Sequence, residues 1–94
     1  MENLILPKTV KISNNVLFQH INNECVLLDM DSEQYYGLDD IGARMWQLLS
    51  EDGDTGKALT LLLAEYDIDE KTLRQDLFNL ITELGNVKLI SVEN

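Results

Sequence analysis

Few side chains in this sequence could do chemistry. It holds one cysteine, Cys25, one histidine, His20, and a cluster of carboxylates at Asp29, Asp31, Glu33, Asp39 and Asp40. A cysteine beside a histidine can become a nucleophile when a nearby cation or helix N-terminus lowers the thiol's pKa. No basic residue adjoins Cys25, and it sits in the apolar run Glu24–Met30, where a free cysteine behaves as a small buried hydrophobe. His20 falls near the end of a strand-like segment, facing solvent or a hydrogen-bond partner. As a metal ligand it would need companions, and no His/Cys cluster exists. Asp29-Met30-Asp31-Ser32-Glu33 superficially has the acids of a calcium loop. It lacks the glycine at the sixth position and the glutamate at the twelfth, and it joins strands instead of helices. Nor does Ser32 open a helix, as the serine of an acyl carrier would. Turn and cap duty accounts for these acids. With no Gly-rich phosphate loop either, the residues indicate a binding protein that is not an enzyme and needs no cofactor or metal.

Charge narrows the choice of partner. The formal charge is −10. Residues 1–28 are neutral, with Lys8 and Lys11 against Glu2 and Glu24, so the excess lies in residues 29–94. An acidic surface repels phosphate backbones and anionic lipid and attracts basic segments. Nucleic acid and membranes are therefore excluded as expected partners. The start, Met1 to Pro7, has no basic residue followed by a long apolar run, and no stretch reaches the roughly 20 apolar residues of a membrane span. The expected location is the cytoplasm. One cysteine forms no internal disulfide.

Ninety-four residues fit one domain, with about residues 8–92 expected to be ordered. Val10-Lys11-Ile12 alternates, Asn14-Asn15 is a turn signal, and Val16 to Ile21 is β-rich. Asn22-Asn23 marks a second turn, and Glu24 to Met30 has the nearly continuous apolar centre of a central strand. Asp31-Ser32-Glu33 is a polar turn before a short aromatic strand, Gln34–Leu38. These segments predict a meander of about three antiparallel strands. The apolar period then changes to 3.6. Asp39 or Asp40 caps a helix through Ile41, Met45, Leu48 and Leu49, with Trp46 widening its face. Asp52-Gly53-Asp54 closes it and opens a second helix carrying Ala58, Leu59, Leu61, Leu62, Leu63 and Tyr66. Asp69 caps a third, over about residues 70–84, with Leu73, Leu77, Leu80, Ile81 and Leu84 at core spacing and Gly85 as its C-cap. Val87 to Ile90 forms a last short strand. The order is that of an α+β, winged helix-turn-helix-like domain: a three-stranded antiparallel sheet followed by three helices.

Such an order is shared with DNA-binding regulators, but fold alone does not assign function. The third helix offers Lys71, Arg74, Gln75 and Asn79 against Glu70, Asp76 and Glu83, which removes most of the counterion-release affinity for DNA. A peptide suits the surface better. A meander leaves strand edges with unpaired N–H and C=O groups. Gln34, Tyr35, Tyr36, Gly37 and Leu38 carry no lysine or proline to blunt that edge, and Gly37 permits close approach of another backbone. On the third helix, Phe78 and Ile81 extend the stripe sideways, and Arg74 shares a face with Phe78. A groove between strand and helix would hold an extended peptide with apolar anchors. Pairing of that edge with a second copy of the chain is the alternative use.

Cys25-Val26-Leu27-Leu28-Asp29, followed by Tyr35-Tyr36-Gly37-Leu38-Asp39-Asp40-Ile41-Gly42-Ala43-Arg44-Met45-Trp46-Gln47-Leu48-Leu49, resembles the PqqD-like proteins. The tail from Asp69, with Asp76-Leu77 and Leu84-Gly85, matches as well. The resemblance covers nearly the whole chain from about Lys8. It implies a non-catalytic recognition element that binds the leader of a ribosomally made precursor peptide as an added strand, and presents the peptide to a modifying enzyme such as a leader peptidase. Among such proteins the chain is similar to the stand-alone leader binders of lasso-peptide pathways, and less so to the chaperone of pyrroloquinoline quinone synthesis, which serves a radical enzyme. By the family's motif, the peptide would contact Gln34, Tyr35, Tyr36, Gly37 and Leu38 together with Arg74, Leu77, Phe78 and Ile81.

Overall fold

The structure, a computed structural model, describes residues 5–22 and 24–93. Four strands come first: β1 (Thr9–Ile12), β2 (Val16–Ile21), β3 (Glu24–Asp29) and β4 (Gln34–Leu38). Helices α1 (Asp40–Asp52), α2 (Thr55–Glu65) and α3 (Glu70–Asn86) follow, and β5 (Ile90–Glu93) ends the described chain.

The meander is β2-β3-β4, antiparallel, with β3 central. Leu27 of β3 is fully buried, facing Phe18 of β2 and Tyr36 of β4 in register. Carboxylates build the β3–β4 turn. Asp29 Oδ1 accepts the Asp31 and Ser32 amides, and Asp31 accepts the Asn15 side-chain amide at 2.9 Å. Asp29 and Asp31 thus hold the turn together. Asn22 takes the left-handed conformation (φ 52°) in the β2–β3 turn; its companion Asn23 lies outside the described residues.

Val10 to Ile12 does not continue this meander. β1 pairs instead with the distant β5, Val10 opposite Val92 and Ile12 opposite Ile90. The reason is burial: Val10 and Ile90 belong to the core, and the β1 backbone is locked to the α1–α2 turn. The Val10 amide donates to Gly53 O at 2.9 Å, and the buried Thr55 hydroxyl donates to Pro7 O. Gly53 sits at φ 75°, and a Cβ there would lie 2.1 Å from Val10 O, so both backbone conformation and close approach require glycine.

Each helix opens on an aspartate whose carboxylate accepts an amide of the first turn: Asp39 from Gly42, Asp54 from Lys57, Asp69 from Thr72. Gly42 leaves room for that cap, since a Cβ there would meet Asp39 Oδ1 at 3.0 Å. At its other end α3 differs from expectation. Gly85 remains helical, the helix runs on to Asn86, and Lys88 adopts the left-handed conformation (φ 65°). The Leu89 amide bonds Leu84 O and the Lys88 amide bonds Gly85 O, a Schellman closure. Leu89, almost fully buried, anchors it, so core packing moves the left-handed closing residue from Gly85 to Lys88, three positions on.

Candidate functional site

In β4 the side chains alternate between two environments. Tyr36 and Leu38 are half-buried on the core side, while Tyr35 and Gly37 are exposed on the other. Backbone pairing is one-sided: β4 bonds to β3, and among the described residues no strand covers its outer edge. Alternate residues of a strand direct their N–H and C=O groups to the same side. A five-residue edge therefore offers roughly two or three residues to an incoming chain.

Below that edge runs a groove of about 540 Å³ between β4 and the C-terminal half of α3. Tyr35, Tyr36, Gly37 and Leu38 line one side; Leu80, Glu83, Leu84, Asn86 and Val87 line the other. Leu84 is buried beneath, whereas Leu80 and Val87 are half-buried and present apolar surface. The Tyr36 hydroxyl donates to Gln34 Oε1 at 2.9 Å, which holds the ring along the strand. A smaller cleft of about 250 Å³ continues past Leu38, sharing Leu80 and Glu83 and adding Asp39 and Asp76. The site thus has an apolar floor with a carboxylate rim at one end, suited to a basic residue flanking apolar anchors.

Of the nine residues singled out from sequence, Tyr35, Tyr36, Gly37 and Leu38 line this groove, and Gln34 stands at its start, hydrogen-bonded to Tyr36. The four helix residues do not line it. Leu77 is fully buried and Ile81 nearly so, both holding α3 onto the core. Arg74 pairs with Glu70 at 2.7 Å. Phe78 and Ile81 border a different cavity on the opposite flank of the helix. The remaining lining residues, Glu83, Asn86 and Val87, were not among those expected from the sequence, and Leu80 was expected wholly in the core. A signal was available: Leu73, Leu77, Ile81 and Leu84 are the buried stripe, so residues on either side form two flanks. Only the packing of α3 against β4 selects between them.

Cys25 is half-buried, not sealed in the core. Its Sγ lies 3.5 Å from His20 Nδ1 across the β2–β3 ladder, and the His20 ring meets Phe18 edge-on at 5.4 Å. Among the described residues no three His, Cys, Asp or Glu side chains gather as a metal set. No described helix is long and apolar enough to cross a membrane.

Comparison with known proteins adds three findings. A family model described as "Coenzyme PQQ synthesis protein D (PqqD)" matches residues 24–90. The structure of TbiB1 in complex with the TbiA(beta) leader peptide is similar at a TM-score of 0.77 and 37% identity, over 86% of this chain and 94% of that one. A lasso peptide synthetase B1 complexed with its leader peptide superposes at a TM-score of 0.78 and 22% identity, over 88% and 98% of the two chains. No curated protein matches the sequence.

Proposed function

We propose that this chain, which belongs to the PqqD family, binds a precursor's leader peptide as a strand added to β4, with apolar side chains seated against α3, and delivers it to a separate modifying enzyme. The observation that carries this reading is the one-sided pairing of β4 directly above the apolar groove. Main-chain hydrogen bonds to an edge supply affinity without sequence, and side-chain pockets supply selectivity. Glu83, Asp39 and Asp76 favour a leader with a lysine or arginine beside its anchors. In this reading the protein itself does no chemistry, and binding alone is asked of it.

The setting is lasso-peptide biosynthesis, with a leader peptidase as the enzyme served. Its support is the 37% identity over most of both chains to TbiB1, a protein whose structure is solved in complex with a leader peptide. The family model's name favours a second setting, a peptide chaperone for a radical enzyme of pyrroloquinoline quinone type, which would use the same groove. Both settings are tested by titrating the chain with a fluorescent leader from the precursor encoded beside it. Saturable binding at roughly micromolar Kd or tighter, absent for a scrambled leader, is expected. No binding at a hundredfold higher concentration would overturn the reading.

A further inference from the structure

The flank of α3 turned away from β4 borders a second, larger cavity of about 880 Å³, closed on its other side by the β1–β5 ribbon. Its walls are mixed: Pro7, Ile12, Phe78 and Val92 supply apolar surface beside Ser13, Asn14, Thr82 and Ser91; Phe78 is half-buried and Val92 is 50% exposed. None of these side chains belongs to the leader groove.

Charge sets this cavity apart from the rest of the molecule. The chain has 17 acidic against 7 basic side chains, yet no residue lining the cavity is acidic and two, Lys11 and Lys88, are basic. The ion pairs among the described residues engage Arg44, Lys57 and Arg74; Lys11 and Lys88, like Lys8 and Lys71, are in none of them. Lys88 also occupies the left-handed position that closes α3, where a glycine would be less strained. A lysine held in such a conformation at a cavity rim is a candidate for a functional constraint.

We propose that this groove docks an acidic, apolar-anchored segment of a partner protein. Carboxylates meet Lys11 and Lys88, and flanking aliphatic or aromatic side chains fill the wall formed by Ile12, Phe78 and Val92. The partner is the enzyme that acts on the captured peptide, an assignment that rests on the leader-binding reading. Asn86, the last residue of α3, lines both grooves. Residues Asp76–Glu83 face the Asp39–Gly42 region while Leu84–Val87 face β4, so α3 runs antiparallel to β4. A leader added in the sheet's own antiparallel sense leaves past Gln34, at the α3 C-terminus, beside an enzyme held in this second groove.

The test is a titration of the full ¹⁵N-labelled chain, followed by amide NMR, with two capped hexapeptides. One alternates Leu or Phe with Glu; the other has Lys for every Glu. The acidic probe is expected to shift Lys11, Phe78, Gly85, Lys88 and Val92 and to bind roughly tenfold more tightly than the lysine probe, the order reversing in the K11E/K88E variant. The leader peptide should bind that variant with unchanged affinity, shifting Tyr35–Leu38. Equal binding of the probes, shifts elsewhere, or no binding at millimolar concentration would overturn the proposal. So would concentration-dependent shifts of the same residues without any probe, which would assign the groove to a second copy. Failure of the leader to bind while the acidic probe still seats would reject the leader reading and leave this groove standing as a docking site.

Discussion

Replacing Leu80 or Leu77 by alanine separates the groove from the core beneath it, although the two residues are neighbours on α3. Leu77 is fully buried. Its truncation removes transfer free energy and leaves a cavity, a loss of about 2–5 kcal/mol in stability. For a domain of this size each kcal/mol lowers Tm by about 4–8 °C. Below its lowered Tm, the Leu77→Ala protein should bind leader as the parent does. Leu80 is half-buried at the groove wall. Removing the equivalent of three methylenes at about 0.8 kcal/mol each would forfeit about 2.4 kcal/mol for a side chain going from fully exposed to fully buried. Less than half of its surface is left for a peptide to cover. Leu80→Ala should therefore weaken leader binding by about 1 kcal/mol, roughly fivefold in Kd. Fluorescence anisotropy with a labelled leader, paired with thermal melts, reads both quantities. If Leu80→Ala binds unchanged while Phe78→Ala loses affinity, the peptide occupies the other flank of α3 and the site has been placed wrongly.

Three further expectations follow from single residues. Gly53→Ala should cost more than about 2 kcal/mol, from left-handed strain plus collision with Val10 O, whereas Gly37→Ala should be neutral or slightly stabilising, because nothing lies within 4 Å of a Cβ there; urea denaturation separates them. Asp69 is held below the ordinary carboxylate range by the Thr72 amide and hydroxyl, so its contribution is present above a pH of about 4 and lost as pH falls through the lower folded value; the stability gap to Asp69→Ala should close in acid melts. Glu83→Gln should weaken a basic leader and flatten the salt dependence of its Kd, with no effect on an uncharged one; anisotropy across a salt series decides.

Local signals were strong in this sequence wherever a single segment decides the outcome. Asp39, Asp54 and Asp69 cap the three helices because a short carboxylate at that position reaches a first-turn amide without tertiary help. The nearly continuous apolar centre of Glu24–Met30 marked the central strand, and Gln34–Leu38 is a strand whose outer edge no described strand covers. What depends on distant partners was not legible. Val10 to Ile12 has the same alternation whether it pairs with β2 or with β5, and only the closure of the core around Val10 and Ile90 chooses. Gly85 carries a stop signal that the burial of Leu89 overrides. The helix side of the groove turned on which flank of α3 meets β4, a question of packing angle that the period of 3.6 does not address.

Hydrogen–deuterium exchange of the chain with and without saturating leader tests strand addition most directly. Amides of Tyr35–Leu38 should slow markedly when the leader pairs with them, while the exposed outer edge of β2 exchanges as before. Protection that falls on β2 or on the β1–β5 ribbon, with Tyr35–Leu38 unchanged, would contradict the account.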